Sequence, residues 1–343
     1  MSSQPDEVAQ RLGHLAATDR FSLAPLYGGA SDRWYFRLTG PLAERYHQPS
    51  LILMGVAPEL NEMFDSYLRV RRCLARSGVP VPALFEAWTD EGILLLEDFG
   101  DLTMTGAVSA SPERGAALYD EAIQLLVRVH DCADDPRDHC RAFDLHFDVE
   151  KFRYEFDFHV RRWVIGHWCS ATPTRAEDAI LSRTFHWIST TLAAEPRVFT
   201  HRDFQTSNLM VRDHAPHGRP RLGLTDFQDA RQGLRQYDLA SLLYDSYVDL
   251  TPAERERMTE AYCRLAGIPL TEGFRELLTV AAIQRKLHDA GAFVYTAAHR
   301  GKRDYLDYVP RTLCLATNLM AAVPQCREAA EVFGDYLARR NER

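Results

Sequence analysis

Lysine is nearly missing from this chain. Of 40 basic residues only Lys151, Lys286 and Lys302 are lysine, and none precedes position 151. Any chemistry that needs an amine in the first 150 residues is thereby excluded. The bland source of such a bias is coding preference for arginine, but the chemical consequence stands. Seven cysteines are scattered through the sequence in an odd number, with no Cys-x-x-Cys pair. That excludes a disulfide framework or a thiolate zinc site and fits a reduced, cytoplasmic protein. No apolar run approaches the roughly 18 residues of a membrane span. The opening residues Met1, Ser2, Ser3, Gln4, Pro5, Asp6 and Glu7 lack the basic start and apolar segment of a secretory leader. Excess positive charge is also lacking. The formal net charge of −8 argues against nucleic acid or an anionic membrane as partner. Internal repeats and low-complexity segments are absent.

What remains is ordinary globular material, 46% hydrophobic and 26% charged over 343 residues. That length suits two domains or lobes. The stretch that carries chemistry runs over 198–229. An apolar run leads into His201, Arg202 and Asp203, and five residues after Asp203 comes Asn208. Residues 209–212 read as a strand, 213–220 as a His-, Gly- and Pro-rich turn, and 221–225 as the returning strand. Paired strands lie about 4.8 Å apart. Such a hairpin would make Asn208 and Asp226 neighbours, with Asp203 entering from the preceding loop. Two carboxylates and an amide oxygen suit Mg²⁺, a cation that favours carboxylates and phosphate oxygens. The spacing His-x-Asp-x-x-x-x-Asn, followed after a hairpin by Asp-Phe, is the kinase catalytic pattern. A surface loop capped by Asp and Asn is the alternative, and the joint presence of every position speaks against it.

Upstream, a short helix is expected over 8–17. Strands over 21–27 and 34–39 flank Gly28, Gly29, Ala30 and Ser31. A glycine hairpin of this kind lets backbone N–H groups approach phosphates, or is simply a tight turn. A third strand covers 51–54. Protein kinases place a phosphate-holding lysine on this strand, but here the position carries Met54 or a neighbour. Arg33 or Arg37 is a candidate for the phosphate role, since guanidinium forks onto phosphate oxygens; a solvated strand charge is the other reading. A helix over 58–77 presents Met63, Tyr67, Val70 and Leu74 on one face, and carries Glu59 and Glu62 at its dipole-favoured start. Strands over 84–89 and 92–96 then reach an acidic, Gly-containing connection. Glu97 and Phe99 lie there as candidates to meet an adenine edge, and a plain strand end is the alternative. This places a boundary between residues 1–97 and 98–343.

The second part reads as helical. Ser111 and Pro112 start a helix to about Asp131. Residues 151–168 are an aromatic-rich helix, and Thr174 with Glu177 forms a capping box. A helix over 237–249 starts beside the site, where Asp238 is either a buried brace for the catalytic loop or a helix N-terminal acid. Further helices start near Thr251, Glu272 and Asp304. Gln228, Asp229 and Arg231 follow the metal carboxylate and are candidates to face an acceptor. Arg231 reads equally as a surface charge.

The chain resembles the aminoglycoside phosphotransferase and choline kinase group. The likeness rests on His201 to Met210, on Asp226-Phe227-Gln228-Asp229-Ala230, and on Tyr237-Asp238-Leu239 with Asp245. Within that group it is similar to the bacterial anomeric kinases of N-acetylmuramate and N-acetylglucosamine, which act in cell-wall sugar recycling. Supporting stretches are Ala30 to Arg37, Leu53-Met54 with Ala57-Pro58, and Gln284-Arg285-Lys286-Leu287 with His299 to Lys302. Gly55-Val56 departs from that subgroup's expected acidic segment, which leaves the acceptor less specified than the reaction. The resemblance implies an α+β fold, two-lobed and protein-kinase-like. A small antiparallel-sheet N-lobe would cover the nucleotide, and a large helical C-lobe would hold the site. It implies phosphoryl transfer from ATP, with Mg²⁺, to a small hydroxyl acceptor. Asp203 would orient and deprotonate that hydroxyl, His201 would brace the loop, and Asn208 and Asp226 would hold the metal. An aminoglycoside or other small alcohol, or a non-catalytic nucleotide-binding module, are the competing expectations.

Overall fold

A computed structural model of the protein describes residues 21–26, 33–56, 62–212 and 221–341. The helix expected over 8–17, the turn carrying Gly28, Gly29, Ala30 and Ser31, the helix start with Pro58 and Glu59, and the 213–220 turn lie outside the described residues.

Two apolar layers organise the first part of the chain. Strands β1 (Ser22–Pro25), β2 (Trp34–Thr39), β3 (Leu51–Gly55), β4 (Leu84–Trp88) and β5 (Ile93–Glu97) form one antiparallel sheet in the order β1-β2-β3-β5-β4. Leu53 stands opposite both Phe36 and Leu95. The central strands β3 and β5 are unbroken apolar runs because both of their faces are covered. Their side chains alternate between faces. Leu51, Leu53, Ile93 and Leu95 join Phe36 and Leu38 in an outer cluster, closed by Leu42 and Ala43 of the short helix α1 (Pro41–Arg45). Met54, Leu94 and Leu96 face the main core, against Phe64, Tyr67, Val70 and Leu74 of α2 (Glu62–Arg76). Helix α1 has only five residues, too few for a periodic signal, and was not anticipated.

Beyond β5 the chain is mostly helical. It contains α3 (Met104–Ala110), α4 (Pro112–His130), α5 (Val149–Glu155), α6 (Arg175–Ala193), α7 (Arg235–Leu243), α8 (Pro252–Leu265), α9 (Glu272–Arg300), α10 (Val309–Ala322) and α11 (Arg327–Asn341). Complete capping boxes start α6 at Thr174 and α8 at Thr251. Two small ladders interrupt the helices. β7 (Leu209–Val211) pairs with β8 (Leu222–Leu224), the hairpin expected from the sequence. β6 (Arg197–Thr200) pairs with β9 (Arg231–Leu234), a strand without apolar alternation that exists because β6 supplies its partner.

Three expectations are corrected. The helix expected over 237–249 spans only Arg235–Leu243, because Asp245 turns inward to accept from the Thr206 N–H and hydroxyl at 2.8 and 2.7 Å. The last helices start at Val309 and Arg327 rather than near Asp304, after a 3₁₀ turn over Arg303–Tyr308. The helix expected over 151–168 widens into a π-helical segment, Phe156–Trp168.

That wide segment packs against α9, a helix about 43 Å long at 1.5 Å per residue. At Gly291 the α9 backbone comes so near that an added Cβ would lie 2.2 Å from the His159 carbonyl oxygen. Gly334 on α11 has nothing within 4 Å of such an atom. Gly291→Ala is therefore expected to cost about 1–3 kcal/mol through overpacking. Gly334→Ala should be neutral or stabilise by up to about 1 kcal/mol through helix propensity. Urea unfolding midpoints read the contrast, and equal midpoints would mean the α9 approach is not tight.

Candidate active site

The β6–β9 ladder delivers the chain to the central loop. Thr200 is fully buried and its hydroxyl donates to the Arg231 carbonyl at 2.8 Å. Next come His201 and Arg202, and the latter has φ +82°, a left-handed conformation that a long side chain rarely adopts. It is held there by one carboxylate. Asp238, fully buried in the first turn of α7, accepts the N–H of His201 at 2.6 Å and that of Arg202 at 2.9 Å. Both readings of Asp238 thus hold at once: it is a helix N-terminal acid and it braces the loop. His130 Nε2 lies 3.4 Å away, and its Nδ1 meets the Tyr262 hydroxyl at 2.7 Å. His201 Nδ1 accepts from the Asp203 N–H at 3.2 Å, so its Nε2 is the donor to the Thr225 carbonyl at 2.9 Å. The imidazole ties the loop to the end of β8.

The hairpin brings the three oxygen-bearing residues into one neighbourhood. Leu209 pairs with Leu224, and Thr225 donates to the Asn208 carbonyl from both N–H and hydroxyl at 3.0 Å. Asn208 Nδ2 donates to the Asp203 carbonyl at 2.9 Å, which leaves the amide oxygen for another partner. Asp226 has φ +61° and a side chain 49% exposed. It accepts from Arg33 Nη2 at 3.3 Å and from Gln228 Nε2 at 3.0 Å. Gln228 reaches Asp229 as well, at 3.2 Å. Among the described residues no group of three His, Cys, Asp or Glu is poised around a metal. The oxygen set here is one carboxylate and one amide.

Asp203 faces a dense polar shell. Arg285, fully buried on α9, lies 3.1 Å from it and 2.8 Å from Asp289. Lys286 Nζ reaches Asp289 at 2.6 Å and the Ser246 hydroxyl at 2.8 Å. Burial pushes the Asp203 carboxyl up, but Arg285 and then Arg202 outweigh it and hold the group below the usual carboxylate range. Next to it, Glu155 at the end of α5 is buried. It accepts from Gln284 Nε2 at 2.8 Å and pairs with Lys151 at 3.3 Å. Burial raises Glu155, yet His288, Arg202 and Lys151 hold it at about 2. Burial, then His288, drive His159 down to about 2. The rings of His159 and His288 are 4.1 Å apart. Gln284 Oε1, His159 Nδ1 and His288 Nε2 are buried without a hydrogen-bond partner among the described residues, while Glu155 Oε1 is met by Lys151 and His288 Nδ1 lies 3.5 Å from Asp289.

Sequence reasoning missed Lys151, Glu155, His159, Arg202, His288 and Asp289 as site residues. Gln284, Arg285 and Lys286 were noted only as part of a family likeness. One signal was present: two of the chain's three lysines, Lys151 and Lys286, belong to this shell.

On the other side of Asp226, a cavity of about 330 Å³ opens under the sheet. Its walls include Tyr35, Ile52, Met54, Leu96 and Phe227, and its rim is formed by residues 97–101. Glu97 and Phe99 both line it. Phe99 packs where a side chain on Gly223 would stand, with an added Cβ 2.4 Å from its ring. Arg37 lines the cavity too, but its guanidinium is engaged differently from the phosphate role expected of it. It forks onto Asp98 at 2.6 Å and onto Asp101 at 2.8 Å, and Ser50 donates to the same Asp98 at 2.7 Å. Among the described residues no helix is long and apolar enough to cross a membrane.

Against known proteins, residues 22–277 match the family model described as phosphotransferase enzyme family. The chain belongs to this family. It is similar to a Pseudomonas putida protein named N-acetylmuramate/N-acetylglucosamine kinase, 28% identical over 92% of this chain and 89% of the relative. A Neisseria meningitidis protein of the same name is 29% identical over 85% of this chain and 84% of its own. Among solved structures, a choline/ethanolamine kinase family protein from Mesorhizobium loti matches 98% of this chain and 99% of its own. Its TM-score is 0.60 at 14% identity. An ADP-bound aminoglycoside phosphotransferase, APH(2'')-Ib, matches with a TM-score of 0.59 at 15% identity, covering 90% of this chain and 97% of that one. The fold is therefore the two-lobed, protein-kinase-like one, with an antiparallel sheet and a mostly helical remainder. The enzyme is a phosphotransferase of kinase type.

Asp238→Asn keeps the shape of the brace but removes its charge and one acceptor. It is expected to cost about 2–4 kcal/mol in urea unfolding, because two buried N–H groups lose a charge-assisted partner. Phosphotransfer should fall with it. Parent-like stability would show that the φ +82° turn at Arg202 needs no such anchor.

Proposed function

We propose that this protein is an ATP-dependent kinase that phosphorylates the anomeric hydroxyl of an amino sugar of the N-acetylmuramate/N-acetylglucosamine class. One observation carries the reading: Asp203, on a braced loop, stands between the Asn208–Asp226 pair and a charged recess large in polar groups. The relatives of that name, matched over most of their length, support the acceptor class. ATP fits the kinase family and the cavity under the sheet, where the backbone of residues 97–99 would meet the base. The chain then divides into a nucleotide-covering lobe, 1–97, and a catalytic lobe, 98–343, joined at that edge. A cytoplasmic location, with its ATP and reduced thiols, suits the buried free cysteines.

Asp203 accepts the proton of the acceptor hydroxyl as its oxygen bonds the γ-phosphorus, and ADP departs with the bridging oxygen. Arg285 keeps the carboxylate ionised, which makes it a weak base. A hemiacetal hydroxyl is more acidic than an ordinary alcohol, so a weak base suffices. His201 holds the loop in register and carries no proton in the step. The donor chemistry of Asn208 Oδ1 and Asp226 fits Mg²⁺, which keeps waters and phosphate oxygens as its other ligands. When bound, that ion supplies neutralisation of phosphate charge. Arg33, beside Asp226, is the cation placed to fork onto phosphate where the β3 lysine is missing. Gln228 and Asp229 flank the acceptor side.

The aminoglycoside reading meets a specific obstacle. Arg231 has no carboxylate at ion-pair distance among the described residues and lies near Arg202, which disfavours a polycationic acceptor there.

ADP release with N-acetylmuramate, N-acetylglucosamine, an aminoglycoside and choline tests the assignment. Release with the aminoglycoside or choline and with neither sugar would overturn it. Asp203→Asn should lower turnover about 10²–10⁴-fold with folding intact, and near-parental turnover would remove the base role. Asp226→Ala should abolish the Mg²⁺-dependent part of the thermal shift given by ATP. A shift equal to that of the parent would sink the metal role.

A further inference from the structure

The cations of this polar shell are unevenly paired. Asp203 is met by Arg285, and Asp289 by Arg285 and Lys286. Arg202 faces Asp203 as well, and Lys151, Arg202 and Arg231 share Glu155 and Asp229. Glu155 already accepts from Gln284 and pairs with Lys151 at 3.3 Å. Arg202 approaches Glu155 and Asp229 only at 3.8 and 3.9 Å, beyond hydrogen-bond reach, and its buried Nε has no hydrogen-bond partner among the described residues. Arg231 has no carboxylate within ion-pair distance among the described residues. Its guanidinium lies over the Phe147 ring, 5.1 Å from the centroid, and its Nε reaches only the Asp229 carbonyl at 3.4 Å. Burial, then Arg202, lower its basicity, so the two guanidinium groups sit near enough to repel each other. Lys151 is lowered by burial as well, with Arg202 and Arg231 both adding to the effect. A partly buried guanidinium with no carboxylate at ion-pair distance, as Arg231 is, gains from a further anion beside it.

The position of Arg231 is fixed by the β6–β9 ladder. Arg231 pairs in register with Thr200, three residues before Asp203. An aromatic face beneath it leaves the in-plane nitrogens of the guanidinium as the edge available to a ligand, and that edge matches a two-oxygen anion.

We propose that Arg231, with Arg202 and Lys151, forms an anion subsite beside Asp203 that takes a carboxylate carried by the acceptor. This rests on the amino-sugar reading and sharpens it: the enzyme prefers the acidic sugar. N-acetylmuramate carries a lactyl carboxylate that N-acetylglucosamine lacks, so the two sugars differ in the group the subsite would read. A phosphate presents the same oxygen pair, and a phosphorylated sugar serves to separate the two sources.

The experiment measures kcat and KM for N-acetylmuramate, N-acetylglucosamine and N-acetylglucosamine 6-phosphate, with the full-length enzyme and Mg-ATP. In the parent, kcat/KM should favour N-acetylmuramate over both others. Arg231→Ala should reduce the N-acetylmuramate to N-acetylglucosamine ratio about tenfold or more, chiefly through KM, the size of a lost charge-assisted pair. Arg231→Lys should recover part of it, and Lys151→Met should lower it too. An unchanged ratio in the Arg231 and Lys151 variants overturns the subsite. A parent preference for the 6-phosphate overturns the carboxylate assignment. If the parent turns over neither sugar, the amino-sugar reading falls. The subsite is then judged by thermal shift: stabilisation by N-acetylmuramate but not N-acetylglucosamine, weakened in Arg231→Lys and Lys151→Met, supports it, and any other pattern overturns it. Should Arg231→Ala fail to fold by circular dichroism, the same two variants carry the kinetic test.

Discussion

The site depends on a single buried carboxylate. Asp238 receives two successive backbone N–H groups, those of His201 and Arg202, and so holds Arg202 in a left-handed turn. That turn points the next residue, Asp203, away from the β6–β9 ladder and toward α9, where Arg285 waits. A carboxylate with no exposure is costly unless its charge is met by donors. Here the donors are the loop itself, so the loop and α7 stabilise one another. The same device recurs at Asp245, whose oxygens take the Thr206 N–H and hydroxyl and stop α7 early. Two acids on one short segment thus clamp both ends of the central loop, at 201–202 and at 206.

The scarcity of lysine has a structural counterpart. Where a kinase would place an amine on β3, Met54 completes an apolar wall of the cavity. Arginine does the electrostatic work elsewhere, and in two distinct ways. Arg37 is consumed by Asp98 and Asp101, so it stiffens the connection after β5 and has no fork to spare. Arg33 reaches across to Asp226, joining the sheet to the oxygen pair below. The difference follows from register. Arg37 stands opposite Ile52 near the acidic connection, whereas Arg33 precedes β2 at the end that overhangs β8.

Much of this was legible from residues alone. The hairpin of β7 and β8, the neighbourhood of Asn208 and Asp226, the apolar central strands and both capping boxes follow from local spacing and turn chemistry. What escaped notice depends on partners remote in sequence. β9 has no pattern of its own and exists because β6 is there to pair with it. The early end of α7 depends on Thr206, nearly forty positions upstream. Arg37 reads as a phosphate ligand until the chain beyond β5 folds back to present two carboxylates. Lys151, Glu155, His159 and His288 look like helix-surface charges and core histidines, because nothing local says that α5 and α9 face Asp203.

A π-helical segment lies where those remote residues converge, and such distortions cluster at functional sites. It starts directly after Glu155, and Glu155 and His159, about one turn apart, both meet α9, at Gln284 and His288. The approach is close enough that only glycine fits at position 291. A core built merely for stability would satisfy its buried polar atoms. Among the described residues, this one leaves the Gln284 amide oxygen and imidazole nitrogens of His159 and His288 without hydrogen-bond partners where the wide segment meets α9.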